Sequence, residues 1–198
     1  MANLNAPFGF SPIIYGTSGN NNQQNRVYYI PSTDTSAYYI GDTVKTISGS
    51  DTNGTPAIAK CATGGVPRGV VSGVLINNPN LPSIQGVNLD LTTTSIPASK
   101  SADYYVLVND DPDQVFLIQG DGTTFVTTDV NKNATYTVAA PSLSNQMSAS
   151  VLTGTTTFST AVLKIVGIEP IPGNILGPYV RFMVMFNNHE FNRPSVGV

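Results

Sequence analysis

Tyr104-Tyr105-Val106-Leu107-Val108-Asn109-Asp110-Asp111-Pro112-Asp113-Gln114-Val115-Phe116-Leu117-Ile118 carries the strongest structural signal in the chain. Two runs of aromatic, β-branched and aliphatic residues, 104–108 and 115–118, flank a block of Asn, Asp, Pro and Gln. Side chains of the first kind suit a pleated, half-buried surface, and Asn, Asp and Pro suit the turn between two such surfaces. The reading is a strand pair joined by a hairpin loop over 109–114.

The same alternation of strand and turn signals extends in both directions. Further strands are predicted at 27–30, around 38–40, and at 43–47, 57–61, 69–76, 123–127, 161–168 and 179–186. Gly41-Asp42, the Gly, Ser and Asn-rich stretch 48–55, Gly64-Gly65 and Gly120-Asp121-Gly122 mark turns. The Asn and Pro-rich connection 77–99 is too long for a tight turn and reads as a surface loop or a crossover between sheets. A short helix is predicted around 143–151. Phe182-Met183-Val184-Met185-Phe186 is apolar at every position, so cover is expected on both faces, from a second layer or another subunit. At the N-terminus, Pro7-Phe8-Gly9-Phe10-Ser11-Pro12 excludes a helix, and the polar stretch 16–25 follows it. Residues 1–25 are therefore predicted to be an extended arm and flexible loop, and 26–198 a single β-rich domain. No repeat of fixed period is visible.

Composition agrees with strands and excludes several functions. Of 198 residues, 11 % are charged against a usual ~25 %, and Thr (22), Gly (18) and Pro (14) are abundant while Glu occurs only at 169 and 190. The fold class is read as all-β, a β-sandwich, jelly roll or barrel, with an extended N-terminal arm. Net charge is −3 with no run of Lys or Arg, so nucleic acid is not expected as a partner. No signal-like or membrane-spanning apolar segment occurs, so no membrane association is expected.

Candidates for chemistry are few. A catalytic histidine needs a nucleophile and an orienting group, and His189 has neither in a recognisable motif, so it reads as a surface or interface residue. Cys61 reads as a small buried hydrophobe, and one His with one Cys cannot make a zinc site. Asp110, Asp111 and Asp113 cluster, but without EF-hand spacing they read as a turn and not as a calcium loop. Gly64-Gly65-Val66-Pro67-Arg68-Gly69 lacks the ending of a phosphate loop. The tyrosine pairs Tyr28-Tyr29, Tyr38-Tyr39 and Tyr104-Tyr105 should each place one ring inward and one outward, because neighbours in a strand face opposite sides. No enzyme activity, cofactor or metal is expected. The unusual features all concern surfaces, and they suit assembly.

Several blocks, read in order, resemble the small cement or decoration proteins that coat the heads of tailed phages. They are Asn5-Ala6-Pro7-Phe8-Gly9-Phe10-Ser11-Pro12, Gly41-Asp42-Thr43-Val44, Val66-Pro67-Arg68-Gly69-Val70-Val71-Ser72-Gly73, the segment 102–112, Val115-Phe116-Leu117-Ile118-Gln119, Leu163-Lys164-Ile165-Val166-Gly167 and Asn187-x-His189-x-Phe191. The chain departs from the family at Leu117, where an acidic residue is common, and carries a longer polar insert at 16–25. The resemblance implies a jelly-roll-like sandwich or barrel and a virion protein on the capsid exterior, synthesised in the host cytoplasm, partnered by the major capsid protein and often trimeric. Its interface is expected to use Pro7, Phe8, Phe10, Pro12, Phe182, Met183, Met185 and Phe191. A head-fibre or receptor-binding module recognising a glycan through its tyrosines is the alternative.

Overall fold

A computed structural model describes residues 3–14, 25–75, 89–90, 92–141, 146–156 and 159–192. Among them the fold is all-β, arranged in three sheets, with two single-turn 3-10 segments and no α-helix. In chain order the strands are β1 (Ser11–Ile13), β2 (Asn25–Ile30), β3 (Tyr38–Tyr39), β4 (Thr43–Ser50), β5 (Pro56–Lys60), β6 (Gly69–Leu75), β7 (Leu89–Asp90), β8 (Ser95–Ile96), β9 (Tyr104–Asn109), β10 (Val115–Gln119), β11 (Asn133–Thr137), β12 (Val151–Thr156), β13 (Leu163–Ile168) and β14 (Arg181–Phe186).

The ladders close two rings. In the first, β4-β5-β2-β9-β6 returns from β6 to β4 through Thr43↔Val70 and Val44↔Gly69. In the second, β10-β14-β13-β11-β12 returns from β12 to β10 through the parallel bridge Gly120↔Leu152. Numbered within its own ring, each set of five strands has the same connectivity. In both, the first and third strands meet in parallel at a single pair, Tyr29↔Ala57 and Gly120↔Leu152, while the other contacts are antiparallel.

The equivalence reaches individual bonds. The Gly41 N–H donates to the Val71 carbonyl and the Val71 N–H to that of Asp42, both at 2.9 Å. In the second ring the Asn131 N–H donates to Ile165 (3.2 Å) and the Ile165 N–H to Lys132 (2.9 Å). Gly41 and Asn131 both have positive φ, +91° and +68°, and Gly and Asn are the residues that enter this region most readily. At Gly41 a Cβ would also meet the Phe8 carbonyl at 2.9 Å. Bulges recur too, between Val71 and Gly73 against β9 and between Ile165 and Gly167 against β14.

Each ring encloses its own apolar cluster. Tyr28, Ile30, Val44, Ile58, Val71, Val74, Val106 and Val108 fill the first, where Tyr38 and Ile96 of the β3–β8 pair cap it. Phe116, Ile118, Tyr136, Leu152, Leu163, Ile165, Phe182, Val184 and Phe186 fill the second. The Thr43 and Tyr136 hydroxyls, 2.9 Å apart, join the two.

Several predicted elements differ. The 109–114 block is not a hairpin: β9 belongs to the first ring and β10 to the second, so this loop carries the chain across. It is fixed there by buried polar side chains, Asn109, Asp110 and Gln114. The predicted strand 123–127 is absent, and Thr127–Asp129 forms a 3-10 turn held by the Asp129 carboxylate, which accepts the Val126 N–H. No helix appears in the described part of 143–151: Met147 bridges Ile40, and Val151 opens β12. Residues 142–145 and most of 77–99 lie outside the described residues. β4 continues to Ser50, into the stretch read as loop. The jelly-roll-like arrangement implied by the resemblance is not shown by these ladders.

Candidate functional site

The densest polar cluster lies where the second ring's C-terminal segment meets the first ring. Asp110, 3 % exposed, accepts a 2.7 Å hydrogen bond at Oδ2 from the Tyr28 hydroxyl. Arg68 Nε donates to that same hydroxyl at 2.8 Å, and lies 3.8 Å from Asp110 Oδ2; Arg26 Nε lies 3.7 Å from Oδ1. The Arg68 guanidinium sits 3.5 Å above the Phe191 ring. Glu190 accepts from the Thr46 N–H (3.0 Å) and hydroxyl (2.8 Å) on β4, while its own N–H donates to the Pro67 carbonyl (3.1 Å). A cleft of about 310 Å³ opens beside it, lined by Arg26, Asp110, Asp111, Pro112 and Phe191.

This arrangement ties the segment 190–191 and the ring crossing at Asp110 to β2 and β4. Burial, reinforced by Asp110, pushes the Tyr28 hydroxyl up to about 12, so it stays protonated. Burial likewise raises the Cys61 thiol, which is 1 % exposed and inert, as read from the sequence. His189 is not a surface residue: it is fully buried, because its ring stacks on Phe191 and packs beside Phe186. Among the described residues no group of three or more His, Cys, Asp or Glu could hold a metal ion. The Asp110 carboxylate already has its donors, so adding EDTA is expected to leave the melting temperature unchanged. A drop of more than a few degrees that calcium restores would overturn this.

A second feature lies at the N-terminal end. The Asn3 side chain donates to the Ile175 and Pro178 carbonyls (2.8 Å each) and accepts the Ile175 N–H. Gln119 donates to the Leu4 carbonyl (2.7 Å) and accepts the Ala6 N–H (3.0 Å). The backbone is thereby pinned while Leu4 (78 % exposed), Ile175 (51 %) and Ile171 (40 %) stay in solvent around Asn3. Leu4 and Ile171 line one cleft and Ile175 a second, and the two clefts share Asn3 and Tyr179.

The predicted interface residues separate. Phe10 is 2 % exposed, with its ring centroid 5.1 Å from that of Tyr136 and 5.6 Å from that of Phe186, and β1 pairs with β10. It is a core residue of its own domain. So is Phe182, fully buried against Phe125. Both rings are enclosed in the second ring's apolar cluster. Met183 and Met185 are half-buried on the outer face of β14, whose inner face is Phe182, Val184 and Phe186. Pro7, Phe8 and Pro12 are half-buried, Phe8 beneath the Arg181 guanidinium. Phe191, 43 % exposed, rims the cleft. Tyr28 and Tyr38 point into the first core and Tyr104 packs against it, which leaves Tyr29 and Tyr39 partly exposed.

Leu4, Ile171, Ile175, Arg26, Arg68 and Glu190 were not singled out from sequence. Only Arg68 carries a signal, an isolated cation in Val66-Pro67-Arg68-Gly69-Val70 that needs a specific partner, whereas Arg26 and Glu190 lie in polar stretches.

Comparison with known proteins gives no match to a family model, to a curated protein or to a solved structure.

Proposed function

We propose that this chain is a structural virion protein that binds the outer surface of a phage capsid, partnered by the major capsid protein, and stabilises the head by bridging neighbouring capsomers. The observation that carries the reading is the apolar group Leu4, Ile171 and Ile175, held in solvent by hydrogen bonds to a fixed backbone. Pre-ordered apolar side chains bind at small entropic cost. Two rings with separate cores and a shared polar seam give the stiffness a bridge needs. A protein that binds only the assembled lattice stabilises it by mass action.

The half-buried outer face of β14, with Met183 and Met185, is assigned to self-association as a homotrimer. Light scattering of the free protein and a map of the decorated head test this; a monomer in both settings overturns it. Docking is tested by co-sedimentation with heads. Burying one leucine side chain is worth ~1.5–3 kcal/mol, so Leu4→Asp with Ile175→Asp is expected to weaken binding on the order of 30-fold or more with the melting temperature unchanged. Wild-type affinity in that variant would remove the patch from the interface.

A further inference from the structure

We propose that segment 187–192 is an acid-released latch between the two rings, with His189 as its trigger. The segment leaves β14 of the second ring and fastens to the first. The Glu190 N–H bonds Pro67, the Glu190 carboxylate bonds Thr46, and Phe191 lies under Arg68. On the other side, the Asn187 and Asn188 N–H groups donate to Val162, and the Asn187 and Asn188 side chains to carbonyls at Ser159, Thr160 and Ala161. His189 is the centre of this stitch.

The trigger rests on which form of the imidazole the pocket accepts. His189 Nδ1 accepts a 3.1 Å hydrogen bond from the Phe191 N–H, which it can do only while Nδ1 carries no proton. Nε2 is buried and has no hydrogen bond of good geometry, although the Arg68 backbone is close enough to favour the charged form somewhat. A proton on Nδ1 would point at the Phe191 N–H and break the bond that shapes the turn. Phe186 and Phe191 offer the imidazolium ring faces but no hydrogen-bond acceptor in place of water. The charged groups around it are Arg68, from the loop before β6; Asp110, from the ring crossing; Glu190, on its own segment; and Arg26, 5.5 Å from the Phe191 ring centroid. Burial, together with the Arg68 charge, holds the imidazole below its ordinary range, and this outweighs the opposing pull of Asp110 and Glu190.

The sign follows from linkage. The open segment binds a proton near pH ~6.5 and the closed one only at lower pH, so closure weakens as pH falls below ~6.5. At pH 5.0 the opening equilibrium can rise by up to about 30-fold, still above the range in which ordinary carboxylates take up protons.

His189 is the one histidine in the chain, so its imidazole proton resonance can be followed without assignment. The test is that titration on the full chain, together with amide exchange at 187–192 corrected for intrinsic rate. The expected result is an imidazole that titrates below 6.5 and protection of the Phe191 amide that drops by at least about fivefold between pH 7.5 and 5.0, within the linkage ceiling. His189→Gln, which cannot charge, is expected to show the same protection at both values. If that variant does not fold, the wild-type titration decides alone. Titration at or above 6.5, or unchanged Phe191 protection across that range, overturns the latch.

Discussion

Phe10→Ala is expected to destabilise the protein by about 3–5 kcal/mol, the usual cost of removing a fully buried aromatic ring. Phe10 meets Phe116 and Tyr136 edge-on and Phe186 at a tilt, with centroids 5.1–6.1 Å away. Its neighbours belong to three strands of the second ring, so none can collapse into the space without disturbing a ladder. The backbone that delivers it cannot adjust either, because a Cβ on Gly9 would meet Ser148 Cβ at 2.5 Å. Denaturant unfolding of the full chain measures the loss, with the denaturant slope unchanged if the native fold persists. Phe8→Ala is the contrast: half-buried beneath Arg181, it should cost far less. Equal and small effects from both would show that the arm packs elsewhere.

Arg68→Met is expected to cost about 1–3 kcal/mol, since it leaves the buried Asp110 carboxylate with one cation fewer and the Tyr28 hydroxyl without its donor. Asp110 would keep the Tyr28 hydroxyl and Arg26, which at 3.7 Å is as close as Arg68 but 58 % exposed. Tyr28 would lose the donor opposite Asp110, and Phe191 the cation on its face. Adding Asp110→Asn to that variant removes the stranded carboxylate and should restore part of the stability, a coupling that a double-mutant cycle reads directly. Additive losses would place Arg68 outside the hub.

Strands were legible in several runs of β-branched and aromatic residues between Gly, Pro or Asn, as at Gly69–Leu75 and Leu163–Ile168. The stretch 123–127 has the same marks and forms none, and β11 and β12 were missed. What joins to what was not legible. The segment 104–118 has every local mark of a hairpin, yet its halves enter different rings, because buried Asn109, Asp110 and Gln114 find partners between the rings. Period-2 patterning marks which residues face a core and is silent on which core. The repeated ring escaped detection for a related reason. Spacings between equivalent strands are unequal, and the equivalence lies in backbone bonds such as those of Gly41 and Asn131, which two different residue types satisfy. At the site, the aromatic content of the arm was legible and its destination was not: Phe8 and Phe10 are two residues apart and chemically alike, but Phe10 alone meets a pocket.

The pairing of β1 with β10 also bears on the order in which a chain emerging from the ribosome can fold. Residues 25–109 hold all five strands of the first ring, so that ring can close while the second is still being made. Phe10, however, packs against Phe116, Tyr136 and Phe186. At ~5–20 residues per second, the N-terminal segment waits roughly 10–35 s before its last contact is synthesised. During that interval an aromatic hydrophobe and an unpaired strand stand in solvent, and the three-residue length of β1 and the missing N–H of Pro12 make it a poor template for other nascent chains.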